Sequence, residues 1–195
     1  MKVPNIRTLR EYHRIARVGE IARRYFAMNA FDGVLIILGV LVGSYFGGVR
    51  EAGTVVTLGM AAAFAMGISG FYGAYVTEKA ERRRSLTELE ESTLCDLSDT
   101  DIAHASIYAT IVVSLIDGFS PSVAAAVAVS PFFLGDAIHV TSAYYAAVII
   151  AFIELFALGA YLGATSRDSM IISGAKMALA GVVCIAVAYL LGGVA

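Results

Sequence analysis

Apolar residues along this chain come in long blocks, not in short alternations. Five blocks stand out, at 29–48, 54–76, 106–131, 140–163 and 172–194. Each is close to the ~20 apolar residues a helix needs to cross a bilayer core. In hydrocarbon a spanning segment must satisfy its own backbone groups, which a helix does alone. The pattern therefore predicts an all-α integral membrane protein with five transmembrane helices. Residues 1–28 differ: Ile6, Leu9, Tyr12, Ile15, Val18, Ile21 and Tyr25 recur at helical spacing with arginines between them. That predicts a basic amphipathic helix on the cytoplasmic membrane surface. The first apolar block begins too late, and behind too many arginines, for a signal peptide. The expected organisation is a surface helix (1–28) and a five-span domain (29–195) carrying an acidic cytoplasmic segment (77–105).

Composition agrees. Hydrophobic residues make up 58% of the 195 positions and charged residues 15%, which excludes a soluble globular enzyme as the default and excludes disorder. A net charge of −2 gives no reason to expect nucleic acid. Tryptophan is absent, so an aromatic belt must be built from tyrosine and phenylalanine. Cys95 in a polar stretch and Cys184 in an apolar one make no disulfide framework.

Charge placement sets the expected orientation. Lys2, Arg7, Arg10, Arg14, Arg17, Arg23, Arg24, Lys79, Arg82, Arg83, Arg84, Arg167 and Lys176 fall on one side, and Arg50 alone on the other. This bias places the N-terminus in the cytoplasm and, with five spans, the C-terminus outside. A multi-pass protein of the cell membrane is expected.

Two short matches suggest an internal repeat. Asp32-Gly33 recurs as Asp117-Gly118 at an offset of 85, and Gly73-Ala74-Tyr75 as Gly159-Ala160-Tyr161 at an offset of 86. Spans one and two would then repeat as spans three and four in parallel orientation, with sites near the repeat interface.

Ionisable residues within hydrocarbon are costly and mark function by default. Asp32, Asp117 and Glu154 qualify, and only Lys176 offers a cation within any span. Three acids with so few internal partners point to a visiting cation or proton; the plainer reading is buried acids kept neutral. At ~100° per residue Gly39 and Gly43 fall within about 20° of Asp32. The acid therefore shares a face with a small-residue ridge, and is expected to point into a helix interface and not into lipid. Span two has a matching small face (Gly59, Ala63, Gly67, Gly70, Ala74) beside Met66, whose thioether suits packing or a late first-row metal. Pro121 removes the usual donor from the carbonyl of Asp117, as Pro131 does for Val127, which predicts either a broken helix whose free carbonyls serve a cation or a packing kink with Asp117 as a neutral hydrogen-bond donor. In the acidic segment Glu78–Arg82 and Glu81–Arg84 have the spacing of surface helix pairs. The other acids there, with Cys95 and His104, match no zinc or EF-hand spacing.

These residues resemble the vacuolar iron transporter family. Span one opens Phe31-Asp32-Gly33 into a Gly-rich run, and span two reads Ala65-Met66-Gly67-Ile68-Ser69-Gly70-Phe71 before Glu78-Lys79-Ala80-Glu81. Span three carries Gly118, Pro121 and Pro131, and the last span runs from Gly181-Val182-Val183 to Tyr189-Leu190-Leu191-Gly192. The resemblance covers most of residues 29–195 and is to a short-loop, prokaryotic-type member. It implies a homodimer that exports ferrous iron or manganese in exchange for protons. By the same resemblance, Asp32 and Met66 form the metal path and Glu78 and Glu81 gather metal on the cytoplasmic side. The segment between spans two and three is shorter than in members with a full helical metal-binding domain. Asp117 and Glu154 stand outside the family's core pattern.

The expected function is thus a transporter, not an enzyme, with the metal as cargo and no permanently bound cofactor. Candidate metal residues are Asp32, Met66, Glu78, Glu81, Asp117 and Glu154. Divalent metal ions, protons, lipid and a second copy are the expected partners. If the repeat holds, Asp117 and Glu154 rebuild the Asp32/Met66 pair and approach each other. Two rivals use the same residues: a proton-coupled transporter of a non-metal cation or solute, and a membrane-embedded metal-dependent enzyme. The second lacks the several aspartates on one helix that such enzymes use.

Overall fold

A computed structural model describes residues 6–192, and Lys2, Val194 and Ala195 lie outside them. The helices are α1 (Ile6–Ile15), α2 (Val18–Phe46), α3 (Ala52–Thr93), α4 (Asp101–Ala128), α5 (Val140–Ser166) and α6 (Met170–Gly192), with a 3-10 segment at Ser130–Ala137 between α4 and α5. No strand occurs among the described residues. Helices α2 to α6 are each long and apolar enough to cross a membrane. The protein is an all-α integral membrane protein.

Several helix limits differ from those expected. The N-terminal amphipathic helix does not run unbroken to residue 28. It stops at Ile15, Arg17 takes a left-handed conformation (φ 47°), and Val18 begins α2. Val18 and Ala22 are then buried, so this stretch belongs to the first spanning helix. Most of the acidic segment is helix as well. From Tyr75 to Thr93 the chain contains no glycine or proline, and α3 continues through 42 residues. It ends where Leu94 turns left-handed (φ 53°). Thr100 then caps α4, its hydroxyl oxygen accepting the backbone N–H of Ala103 at 3.5 Å.

Pro121 does not break α4, which is continuous to Ala128. Pro131 lies past the helix end, in the first turn of the 3-10 segment. Val127 sits in the last turn of α4, where carbonyls lack helical donors in any case, so Pro131 deprives it of nothing.

The chain divides into two compact units. The first comprises 1–26 and 68–119. Its buried centre is Val18 and Ala22 of α2 against Ala109 and Val113 of α4. The second comprises 27–67 and 120–195. Its core joins Val34, Ile37, Leu38 and Leu41 of α2 with Val55 and Ala63 of α3, Ala125 and Val129 of α4, and Ala147, Ala151 and Leu155 of α5.

Lipid tails are as apolar as leucine, so close backbone approach supplies much of the packing between such helices. In the second unit α5 and α6 show it. A Cβ on Gly159 would lie 2.5 Å from the carbonyl oxygen of Ser173 and 2.8 Å from Cα of Gly174. Likewise a Cβ on Gly33 of α2 would lie 2.7 Å from the Cα and carbonyl oxygen of Pro121. Aromatic rings cluster inside the second unit. Tyr144 meets Phe132 and Tyr45 edge-on at 4.9 and 5.3 Å, and its hydroxyl donates to the Val49 carbonyl at 3.1 Å. Arg50 stacks on Tyr45 at 5.0 Å and donates to the carbonyls of Tyr45 and Val49.

Candidate functional site

Asp32 and Asp117 share a dipeptide but not an environment. Asp32 is exposed on α2. The ridge beside it is open too: a Cβ on Gly39 or Gly43 would meet nothing within 4 Å. Helix α6 borders the ridge at one point, where the Cys184 thiol donates to the Leu35 carbonyl at 3.4 Å, and leaves the Gly39 and Gly43 positions uncovered. Met66 is half-buried on α3, in the same unit as Asp32.

Asp117 is buried, only 6% exposed, in the first unit. One of its carboxylate oxygens lies 2.8 Å from where a Cβ on Gly70 would be, and its carbonyl oxygen 3.6 Å from the same point. Pro121 leaves that carbonyl without a helical N–H, and it lies near Gly70, which has no side chain to interpose. Toward the N-terminal end of α4 a line of hydroxyls leads to Asp117. Ser106 donates to the Ile102 carbonyl, Thr110 to Ser106 and Ser114 to Thr110, at 2.9, 3.0 and 2.6 Å. Thr110 and Ser114 are buried.

Glu78 is also in the first unit. It accepts the Tyr25 hydroxyl at 3.1 Å and pairs with Arg82 at 3.0 Å, both side chains of the ion pair being largely buried. Glu81 is exposed. The expected Glu81–Arg84 pair is replaced by Arg84–Glu88 at 2.9 Å, one helical turn onward. Beyond α3, Asp96 accepts the backbone N–H of Ser98 at 2.9 Å. That bond, with the Ser98 hydroxyl, holds its carboxyl below the usual range.

Glu154, midway along α5 in the second unit, has an oxygen that is fully buried and has no hydrogen-bond partner. Its half-buried side chain cannot expose that atom to water. An ionised carboxylate so placed would carry the full desolvation cost, so the site needs a proton or a cation.

No three His, Cys, Asp or Glu side chains converge into a metal cage among the described residues. The six candidates are thus distributed: Glu78, Glu81 and Asp117 in the first unit, Asp32, Met66 and Glu154 in the second.

The chain is 36% identical over 172 residues to an uncharacterized protein, MJ0645, of Methanocaldococcus jannaschii, and the match covers 87% of each. It belongs to the MJ0645 family. No family model matches the chain. The match is nearly full-length, so the likeness of this chain to MJ0645 extends well beyond any one motif.

Three contributors escaped the sequence reading of this MJ0645-family chain. Tyr25 lies on the amphipathic stripe by spacing, yet its hydroxyl donates to Glu78. Gly70 was read as packing, yet it seats a carboxylate. The Ser106, Thr110 and Ser114 series was not singled out, although its i, i+4, i+8 spacing toward an acid was there to be read.

Proposed function

We propose that the protein exports divalent iron or manganese from the cytoplasm in exchange for protons, and that it does so as a homodimer. The observation that carries this reading is Asp32: a carboxylate on a spanning helix, exposed in the protomer, on the same stripe as open Gly39 and Gly43. A charge facing lipid is costly, and a ridge of glycines invites close helix approach. A second copy packed on this stripe removes the cost and brings two Asp32 carboxylates together. Paired carboxylates bind a divalent cation or hold a proton, and the two compete for the same oxygens, which is the requirement for antiport. Met66 adds a soft ligand that favours iron or manganese over magnesium or calcium. Glu78 and Glu81 supply oxygen ligands near the end of the span. The resemblance to vacuolar iron transporters supports the same assignment.

The test is uptake by proteoliposomes offered a panel of divalent metals, with a pH-sensitive dye inside. Metal uptake coupled to a pH change, abolished by Asp32→Asn in a protein that still inserts, is the expected result. A proton flux driven by an organic cation and indifferent to metals would favour the rival non-metal transporter.

A further inference from the structure

The first unit carries a groove that the transport reading does not use. It lies between α3 and α4, has a volume of about 300 Å³, and is walled almost entirely by apolar surface. Ile107 and Ile111 form its floor; they are 59% and 46% exposed, on the turn where α4 enters its apolar block. Lys79, Arg82 and Arg83 form its rim, where α3 leaves its own apolar block. Arg82 is held by Glu78. Lys79 and Arg83 are exposed and take part in no ion pair among the described residues. The Lys79 ammonium instead lies over the Tyr75 ring at 5.5 Å.

A trough that is apolar where α4 enters its spanning block, that continues past Leu86, Ser98 and Ala103, and that has Lys79 and Arg83 beside it outside any ion pair among the described residues, matches one chemistry. We propose that this groove binds an anionic phospholipid, with an acyl chain along Ile107 and Ile111 and the headgroup phosphate on Lys79 and Arg83. Charge complementarity carries the choice of occupant. Basic pockets between helices at a membrane surface bind anionic headgroups, whereas an apolar protein partner would leave both cations desolvated without counter-charge. The proposal does not depend on what the protein transports.

Native mass spectrometry of the full-length protein in detergent tests it, with dioleoyl phosphatidylglycerol and dioleoyl phosphatidylcholine as probes. The wild type should retain phosphatidylglycerol in preference to phosphatidylcholine. The double variant Lys79→Gln/Arg83→Gln, both positions exposed and so tolerant of the change, should weaken phosphatidylglycerol retention by about thirty-fold, the factor two charges near a membrane surface supply. Ile107→Trp, which fills the trough and keeps the charges, should also reduce it. Arg10→Gln/Arg14→Gln, on α1, is the control and should leave it unchanged. Equal retention of the two lipids would overturn the proposal. So would unchanged phosphatidylglycerol retention in the double variant, or an equal loss in the control. Loss of a dimer in the Lys79/Arg83 variant without loss of lipid selectivity would make the groove a protein contact and would overturn it too.

Discussion

The carboxylate of Asp117 is seated on the backbone of Gly70, with an oxygen 2.8 Å from the position a Cβ would take. An alanine there must push the carboxylate aside. Gly70→Ala should cost about 1–3 kcal/mol, the range for forcing extra carbon into a packed interior. In an Asp117→Ala background the obstacle is gone, and the helix preference of alanine over glycine should make the same change neutral or stabilising. Thermal melts of the four proteins, followed by helical circular dichroism, measure this coupling. Additive losses would refute it.

At the α5–α6 contact the obstacle is backbone and cannot rotate away. Gly159→Ala should therefore destabilise by about 3 kcal/mol, the upper end of overpacking costs. Gly73→Ala is the comparison, because a Cβ there meets nothing within 4 Å. Its melting temperature should stay level or rise.

The open stripe on α2 separates folding from assembly. Gly43→Leu should leave the protomer's helical content unchanged, since nothing within 4 Å opposes even its first carbon. It should abolish the proposed dimer. Light scattering or crosslinking in detergent would show a monomer, and a persistent dimer would move the interface elsewhere.

Tyr25→Phe removes a hydroxyl that donates to Glu78. The expected cost is about 1 kcal/mol in stability. If Glu78 gathers metal, its carboxylate is also released to move, and the apparent KM for metal uptake should change while uptake at saturation does not.

Orientation is testable directly. With thirteen of fourteen basic residues on one side, a reporter fused after Ala195 should be found outside the cytoplasm. A cytoplasmic reporter there would mean an even number of crossings.

The spans were legible because hydrocarbon imposes a single requirement on length and polarity, and the blocks at 140–163 and 172–194 match α5 and α6 closely. The break at Arg17 was not legible, since a left-handed arginine has no compositional mark as glycine does. The extension of α3 was half visible. Its freedom from glycine and proline said helix, while its acids said surface. The two Asp-Gly pairs show the limit most plainly. Asp32 and Asp117 read alike, but which neighbour each meets depends on how helices rotate against one another. Local sequence does not state that rotation. Gly39 and Gly43 share a stripe by spacing alone, but whether a neighbour covers it depends on the same rotation, and no described residue comes within 4 Å of an added Cβ there.

The hydroxyls of Ser106, Thr110 and Ser114 have a chemical polarity of their own. Each directs its hydrogen back to the carbonyl one turn earlier, so what each can still offer is lone pairs. Ser106, Thr110 and Ser114 thus present lone pairs on the way to the Asp117 carboxylate. Such a line is a graded solvent for positive species: a cation or hydronium meets an oxygen at every turn, and a halide meets none. If the proposed transport holds, these oxygens favour a positive charge beside α4 over a negative one.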